Sequence, residues 1–255
     1  MTIRRVLVGG AALATLIVTV VAVSWWFLIR EDAGLADSPP EISEELAAAA
    51  VELSPSGQAT DVSNGTNASD GSDPSDVLTF RIIPEESEAA YFVDEELASL
   101  PLPSTAKGTT SDIEGEFYLT TTGTALAPGT DSRFTVDLRN LESGEPRRDD
   151  RVQSALETNT YPYAIFTFSI VTGYDPSIPE SEVQSMQFTG TLDLHGVQRE
   201  VTWDAEAFRE SNVISILATI TVDFRDFDIT PPTFAGFVSV DDEATLQVQL
   251  IAQAV

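Results

Sequence analysis

The feature that most constrains this chain is the stretch 187–207, QFTGTLDLHGVQREVTWDAEA. Phe188, Gly190, Leu192 and Leu194 fall at every second position; His195-Gly196-Val197 follows; then Val201, Trp203 and Ala205 resume the alternation. A period of two across a short glycine-containing break is the pattern of a β-hairpin with one buried face. His195 is the only histidine. It precedes Gly196 with no serine or cysteine nucleophile motif nearby, so it reads as a turn residue rather than a catalytic one.

The same alternation fills most of residues 77–255. Leu78, Phe80 and Ile82 lead to Pro84, and residues 88–93 form a further short run. Phe117 and Leu119 follow within 113–121, Phe134, Val136 and Leu138 within 133–141, and Phe166, Phe168 and Ile170 within 164–171. After the hairpin come Ile214, Ile216, Ala218, Ile220, Val222 and Phe224, then Leu246, Val248 and Leu250. Gly, Pro, Asn and Asp clusters separate the runs. About eight antiparallel strands, apolar nearly to the C-terminus, favour an all-β closed barrel that leaves no edge exposed. Residues 147–159 (RRDDRVQSALETN) break the pattern and are expected to form a short helical crossover or lid. The inward faces are rich in large aromatics. A small barrel either fills its interior with side chains or keeps room for one elongated ligand, and both readings stand at this stage.

Charge and composition narrow the chemistry. Forty-one acidic residues against thirteen Lys and Arg give a net charge of −28. Such a surface repels phosphate backbones, which argues against nucleic acid as a partner. Cysteine is absent, which removes disulfides, thiolate metal sites and a cysteine nucleophile. With one histidine, a metal centre or cofactor is not expected. Paired carboxylates such as Asp241 and Asp242 are common by chance among so many acids, so no catalytic role is assigned. The run Arg147, Arg148, Asp149, Asp150, Arg151 reads as a solvated, partly self-paired cluster, with capture of an anionic headgroup as the alternative. Arg225 is expected to pair with Asp226 at one barrel end.

The N-terminal part is organised differently. Residues 6–29 contain no charged residue, Trp25 and Trp26 lie near the far end, and Arg4 and Arg5 precede them. About 20 apolar residues suffice to span a bilayer, and the arginines favour a cytoplasmic N-terminus. Residues 1–30 are therefore read as an uncleaved transmembrane anchor, which puts residues 77–255 on the extracytoplasmic side of the cell membrane. Residues 31–76 hold no Lys or Arg and read as an acidic flexible linker, with a possible short helix at 41–53. Asn64 and Asn67 fit the N-glycosylation pattern. Asp70, Asp73 and Asp76 lack the distal glutamate of a calcium loop.

Several segments together resemble the YceI-like family. Gly190-Thr191-Leu192-Asp193-Leu194-His195-Gly196-Val197 with Val201-Thr202 is similar to its hairpin signature. Residues 79–82 through Phe92-Val93 resemble its opening strand, with Ile83 and Glu86 where Asp and His are usual. Arg148-Asp149 and Tyr161-Pro162 with Phe166 resemble its helical crossover and the strand after it, although the crossover is shorter and lacks the paired phenylalanines. Residues 221–229 resemble a further strand, with Asp228 in place of glycine. The resemblance covers residues 78–252. It implies a lipocalin-like barrel, a binding role rather than catalysis, and an isoprenoid lipid or quinone in an apolar channel. The expected lining is Phe134, Phe166, Phe168, Phe188, Trp203, Ile216, Ile220 and Phe224. A ligand-free envelope module with a packed core is the competing reading, and a homodimer is left open.

Overall fold

The computed structural model describes residues 34–52, 77–97, 104–232 and 238–255. The apolar stretch 6–29, the two glycosylation motifs and, of the linker 31–76, residues 31–33 and 53–76 lie outside the described residues. Among those described, no helix is long and apolar enough to cross a membrane.

Eight strands close an antiparallel barrel: β1 (Val77–Ile82), β4 (Ile113–Thr120), β5 (Arg133–Asp137), β6 (Tyr163–Thr172), β7 (Gln184–Leu194), β8 (Val197–Glu210), β9 (Val213–Asp223) and β11 (Glu243–Ala254). They pair in that order, and β11 returns to β1 through Phe80↔Ala254 and Ile82↔Ala252. Three further strands extend one end. β2 (Glu88–Leu97) continues β1 past a 3-10 turn at Pro84–Glu86 and pairs with β11, β3 (Ser104–Thr110) pairs with β2, and β10 (Val238–Val240) lengthens the sheet beside β2. The closed barrel agrees with the reading from periodicity. β3 and β10 were not expected: β3 reads STAKGTT and carries too little apolar alternation to announce itself.

The β7–β8 hairpin is built as its pattern requires. Leu194 pairs with Val197, Gly190 with Val201 and Phe188 with Trp203. The two turn residues, His195 at φ 54° and Gly196 at φ 73°, both take the left-handed conformation, as the tightest hairpin turns demand. A Cβ on Gly196 would lie 2.6 Å from the Tyr161 ring, so glycine is needed for space as well. His195 holds this turn to its neighbours. Its Nδ1 is 3.1 Å from the Phe227 carbonyl and its ring packs 4.7 Å from that of Tyr161.

Two sequence expectations change. In β6 the register shifts between Phe168 and Ile170. This bulge turns Ile170 to solvent, 55% exposed, and brings Val171 onto the inner face instead. Strict alternation fails there because the extra residue inverts the parity of everything after it. The second concerns Arg225, whose partner is Asp242 rather than Asp226. Arg225 lies in a 3-10 turn, Phe224–Phe227, and Asp242 precedes β11. The charge therefore ties the β9 exit to the β11 entry, a pairing with a non-adjacent residue that sequence spacing does not show.

The crossover is a ten-residue helix, α2 (Pro146–Ala155), which follows a shorter helix, α1 (Glu44–Glu52), in chain order. Pro146 opens α2, where a missing N–H costs nothing. Asp149 accepts bonds from the Ser143 backbone N–H (2.9 Å) and hydroxyl (2.5 Å), fixing the loop before it. Val152 and Leu156 face the barrel core.

The segment around α1 is docked on the outside of the barrel. Ile42 and Leu46 pack on Val213 and Ile251. Ser215 Oγ donates to the Pro40 carbonyl (2.6 Å), while the Gln247 side chain accepts from Ala36 N (2.9 Å) and donates to Ala36 O (3.1 Å). Covering one outer patch explains why β9 is also buried on its outer face, where Val213, Ser215 and Leu217 are all buried, as in strands covered on both sides.

Candidate functional site

The residues facing the barrel interior differ from one end to the other. Near α2 the inward positions include Ala89, Ala106, Ala164 and Ala244, whose small side chains leave space. The result is a cavity of about 410 Å³, walled by Val93, Leu192, Leu194, Val222, Leu246 and Val248 and roofed by Val152, Ala155 and Leu156 of α2. Its size falls within the roughly 300–1,000 Å³ of small-molecule sites.

The mouth is polar, with Arg147, Arg148 and Arg151 along α2, Glu145 before it and Glu95 on β2. Arg148 donates to both oxygens of Glu95 at 3.3–3.4 Å. The run read as a solvated, self-paired cluster is therefore anchored to the barrel rim. Tyr91 stands at the boundary between the polar mouth and the apolar wall. Its ring lies over Gly108, where a Cβ would come within 2.3 Å of it. Burial pushes its phenol up to about 12, opposed by the nearby Arg148 and reinforced by Asp149 and Glu95. The phenol also shares a side-chain hydrogen bond with Ser143, and at neutral pH it is protonated, as an unshifted phenol would be.

At the opposite end the interior is nearly filled. A smaller cavity of about 110 Å³ is left among Phe117, Phe168, Phe188, Met186 and Ile216, with Arg209 and Glu180 at its rim. The two cavities are separated by a cluster of rings. Phe166 lies 4.8 Å from Phe168, 5.6 Å from Phe134 and 5.8 Å from Trp203, centroid to centroid, and Phe168 lies 5.4 Å from both Phe117 and Phe188. Most of these contacts are edge-to-face, the favoured arrangement for aromatic pairs. Phe166 is fully buried. Its position depends on Gly190 of the hairpin, where a Cβ would stand 2.8 Å from the Phe166 ring and 2.1 Å from the Thr167 carbonyl.

The eight residues expected to line one channel are thus distributed. Phe134, Trp203 and Phe224 line the larger cavity; Phe168, Phe188 and Ile216 line the smaller; Phe166 sits between them. Ile220 faces the interior, packed against the core, and borders neither cavity. Sequence reasoning favoured large aromatics and so found the filled region and three residues of the open one. It missed Tyr91, Val93, Leu246 and the alanines. Inward-facing alanines occur at both ends, Ala207 of the filled end among them, so no residue type in the sequence marked the open end.

Barrel and cavity together define a small closed antiparallel β-barrel with an apolar interior space. The chain belongs to the YceI-like domain family, whose model matches residues 80–252. Among solved structures it is similar to BcnA of Burkholderia cenocepacia, at 15% identity over 68% of this chain and 99% of that one, with a TM-score of 0.51. It is also similar to a polyisoprenoid binding domain from Saccharophagus degradans implicated in plant cell wall breakdown, at 15% identity over 70% of this chain and 99% of that one, with a TM-score of 0.53. At such identities these likenesses concern the fold. No curated protein matches the sequence.

Proposed function

We propose that this barrel binds an amphiphilic isoprenoid lipid, a polyprenyl compound or isoprenoid quinone, for its transport or storage or for envelope stress tolerance. The carrying observation is the 410 Å³ apolar cavity with a polar mouth at α2. An isoprenoid tail offers little but apolar surface, so its affinity must come from burial. At about 25 cal/mol per Å², a few hundred Å² supplies several kcal/mol before the cost of association. Family membership and the polyisoprenoid-binding relative from Saccharophagus degradans support the choice of ligand class. The headgroup rests beside Tyr91 and the three arginines. In this reading residues 6–29 anchor the protein, and the barrel works on the outer side of the cytoplasmic membrane. The role is binding and needs no cofactor.

Full-length protein purified from membranes without added ligand should yield prenyl lipid on organic extraction and mass spectrometry. Ala244→Trp, which fills the cavity from a buried wall position, should lose that lipid while keeping a cooperative thermal transition. Lipid-free wild-type protein that also fails to take up added prenyl quinone would sink the proposal and favour a ligand-free envelope module.

A further inference from the structure

We infer that the aromatic cluster is a length stop, so that the protein selects amphiphiles with short isoprenoid chains over those long enough to thread the barrel. This rests on the lipid-binding reading above and deepens it by naming the ligand class. The alternation of the strands alone would leave one continuous interior from mouth to far end. The structure interrupts it. Phe134, Phe166 and Trp203 form one contiguous group with ring centroids 5.6–6.1 Å apart, and Phe168 joins it to the far-end rings at 4.8 Å from Phe166 and 5.4 Å from Phe188. At such separations the rings are in contact, and no hydrocarbon chain passes between them.

The stop is also difficult to move. Phe166 has no exposed surface, and its ring occupies the notch left by Gly190. Displacing one ring requires its neighbours to repack, because protein interiors are as dense as organic crystals. Beyond the stop, the far cavity of about 110 Å³ is too small to take the remainder of a long tail. A tail ending within the larger cavity is fully buried. A longer one must leave its extra units in water at the mouth, where they add no affinity.

Menaquinones with geranyl, farnesyl, geranylgeranyl and solanesyl tails, titrated into the full-length protein in detergent, test this. Affinity for the wild type should rise with the first additions and then stop rising or fall by the solanesyl compound. Phe166→Leu and Phe168→Ala, the latter at a half-buried position, should each improve solanesyl binding about tenfold, a difference of about 1.4 kcal/mol, with little change for the short tails. Affinity that increases through the whole wild-type series overturns the length stop. So does an unchanged length profile in both variants when their melting curves show them folded. Failure of every tail to bind overturns the lipid-binding reading itself, and the length stop with it.

Discussion

The two ends of the barrel interior use the same strands and the same alternation, yet one is open and the other filled. At the α2 end alanines and scattered Val and Leu stand among Phe134, Trp203 and Phe224, and a helix carrying Arg147, Arg148 and Arg151 spans the opening. At the far end Phe117, Phe168 and Phe188 meet across the interior and leave only a small gap. The difference teaches that occupancy of a small barrel is decided by side-chain volume at a few inward positions and not by strand number. It also divides the labour. The filled end and its aromatic cluster supply cohesion, while the open end can spare volume for a ligand.

The largest expected effect falls on the cluster. Phe166→Ala should destabilise the protein by about 3–5 kcal/mol, since a fully buried ring is replaced by a void. Truncating Leu246, which already borders empty space, should cost clearly less. Denaturant melts of the two variants compare the ends directly, and equal losses would abolish the distinction. Gly190→Ala should cost about 1–3 kcal/mol by forcing a methyl group against the Phe166 ring and the Thr167 carbonyl. Coupling with Phe166→Leu in a double-mutant cycle should recover part of that loss. Strict additivity would show that the ring contact does not matter.

At the open end the expected effect depends on pH. The Tyr91 phenol, raised from about 10 to about 12 by burial, favours the folded state while it is protonated. Its contribution is whole below pH 10 and is lost as pH rises from 10 to 12, an amount on the order of 2 kcal/mol. Tyr91→Phe should flatten this part of the stability profile, and a wild-type profile already flat there would contradict the burial argument. The smallest effect concerns the outer face. Ser215→Ala removes the bond to the Pro40 carbonyl and should cost about 1 kcal/mol. Faster amide exchange should be confined to the docked segment around Pro40, and acceleration spread through the barrel would argue against a local role.

Much of this architecture was legible before the structure. The hairpin, its turn at His195-Gly196 and most strands follow from period-two alternation, because a strand with one buried face has little freedom in where its apolar residues fall. The Ile170 bulge was not legible, since it breaks the periodicity on which the reading depends. β3 was missed for lack of apolar residues. The docking of the segment around α1 left one trace, Val213 and Leu217 on the outer face of β9, which shows that a second face is covered but not by what.

What the sequence determined by itself was a closed antiparallel barrel with an aromatic-rich interior, while the binding role came from the resemblance to a family. The barrel needs only local periodicity. Tertiary structure decided which inward residues meet. Phe134, Phe166, Phe168 and Trp203 come from three different strands, and only the barrel's register places their rings in contact. It also set Arg148 against Glu95, 53 residues away, and Arg225 against Asp242. Cavities depend on volumes summed across strands, and ion pairs depend on approach through space. Neither is a property of a run of neighbouring residues, so both had to await the folded chain.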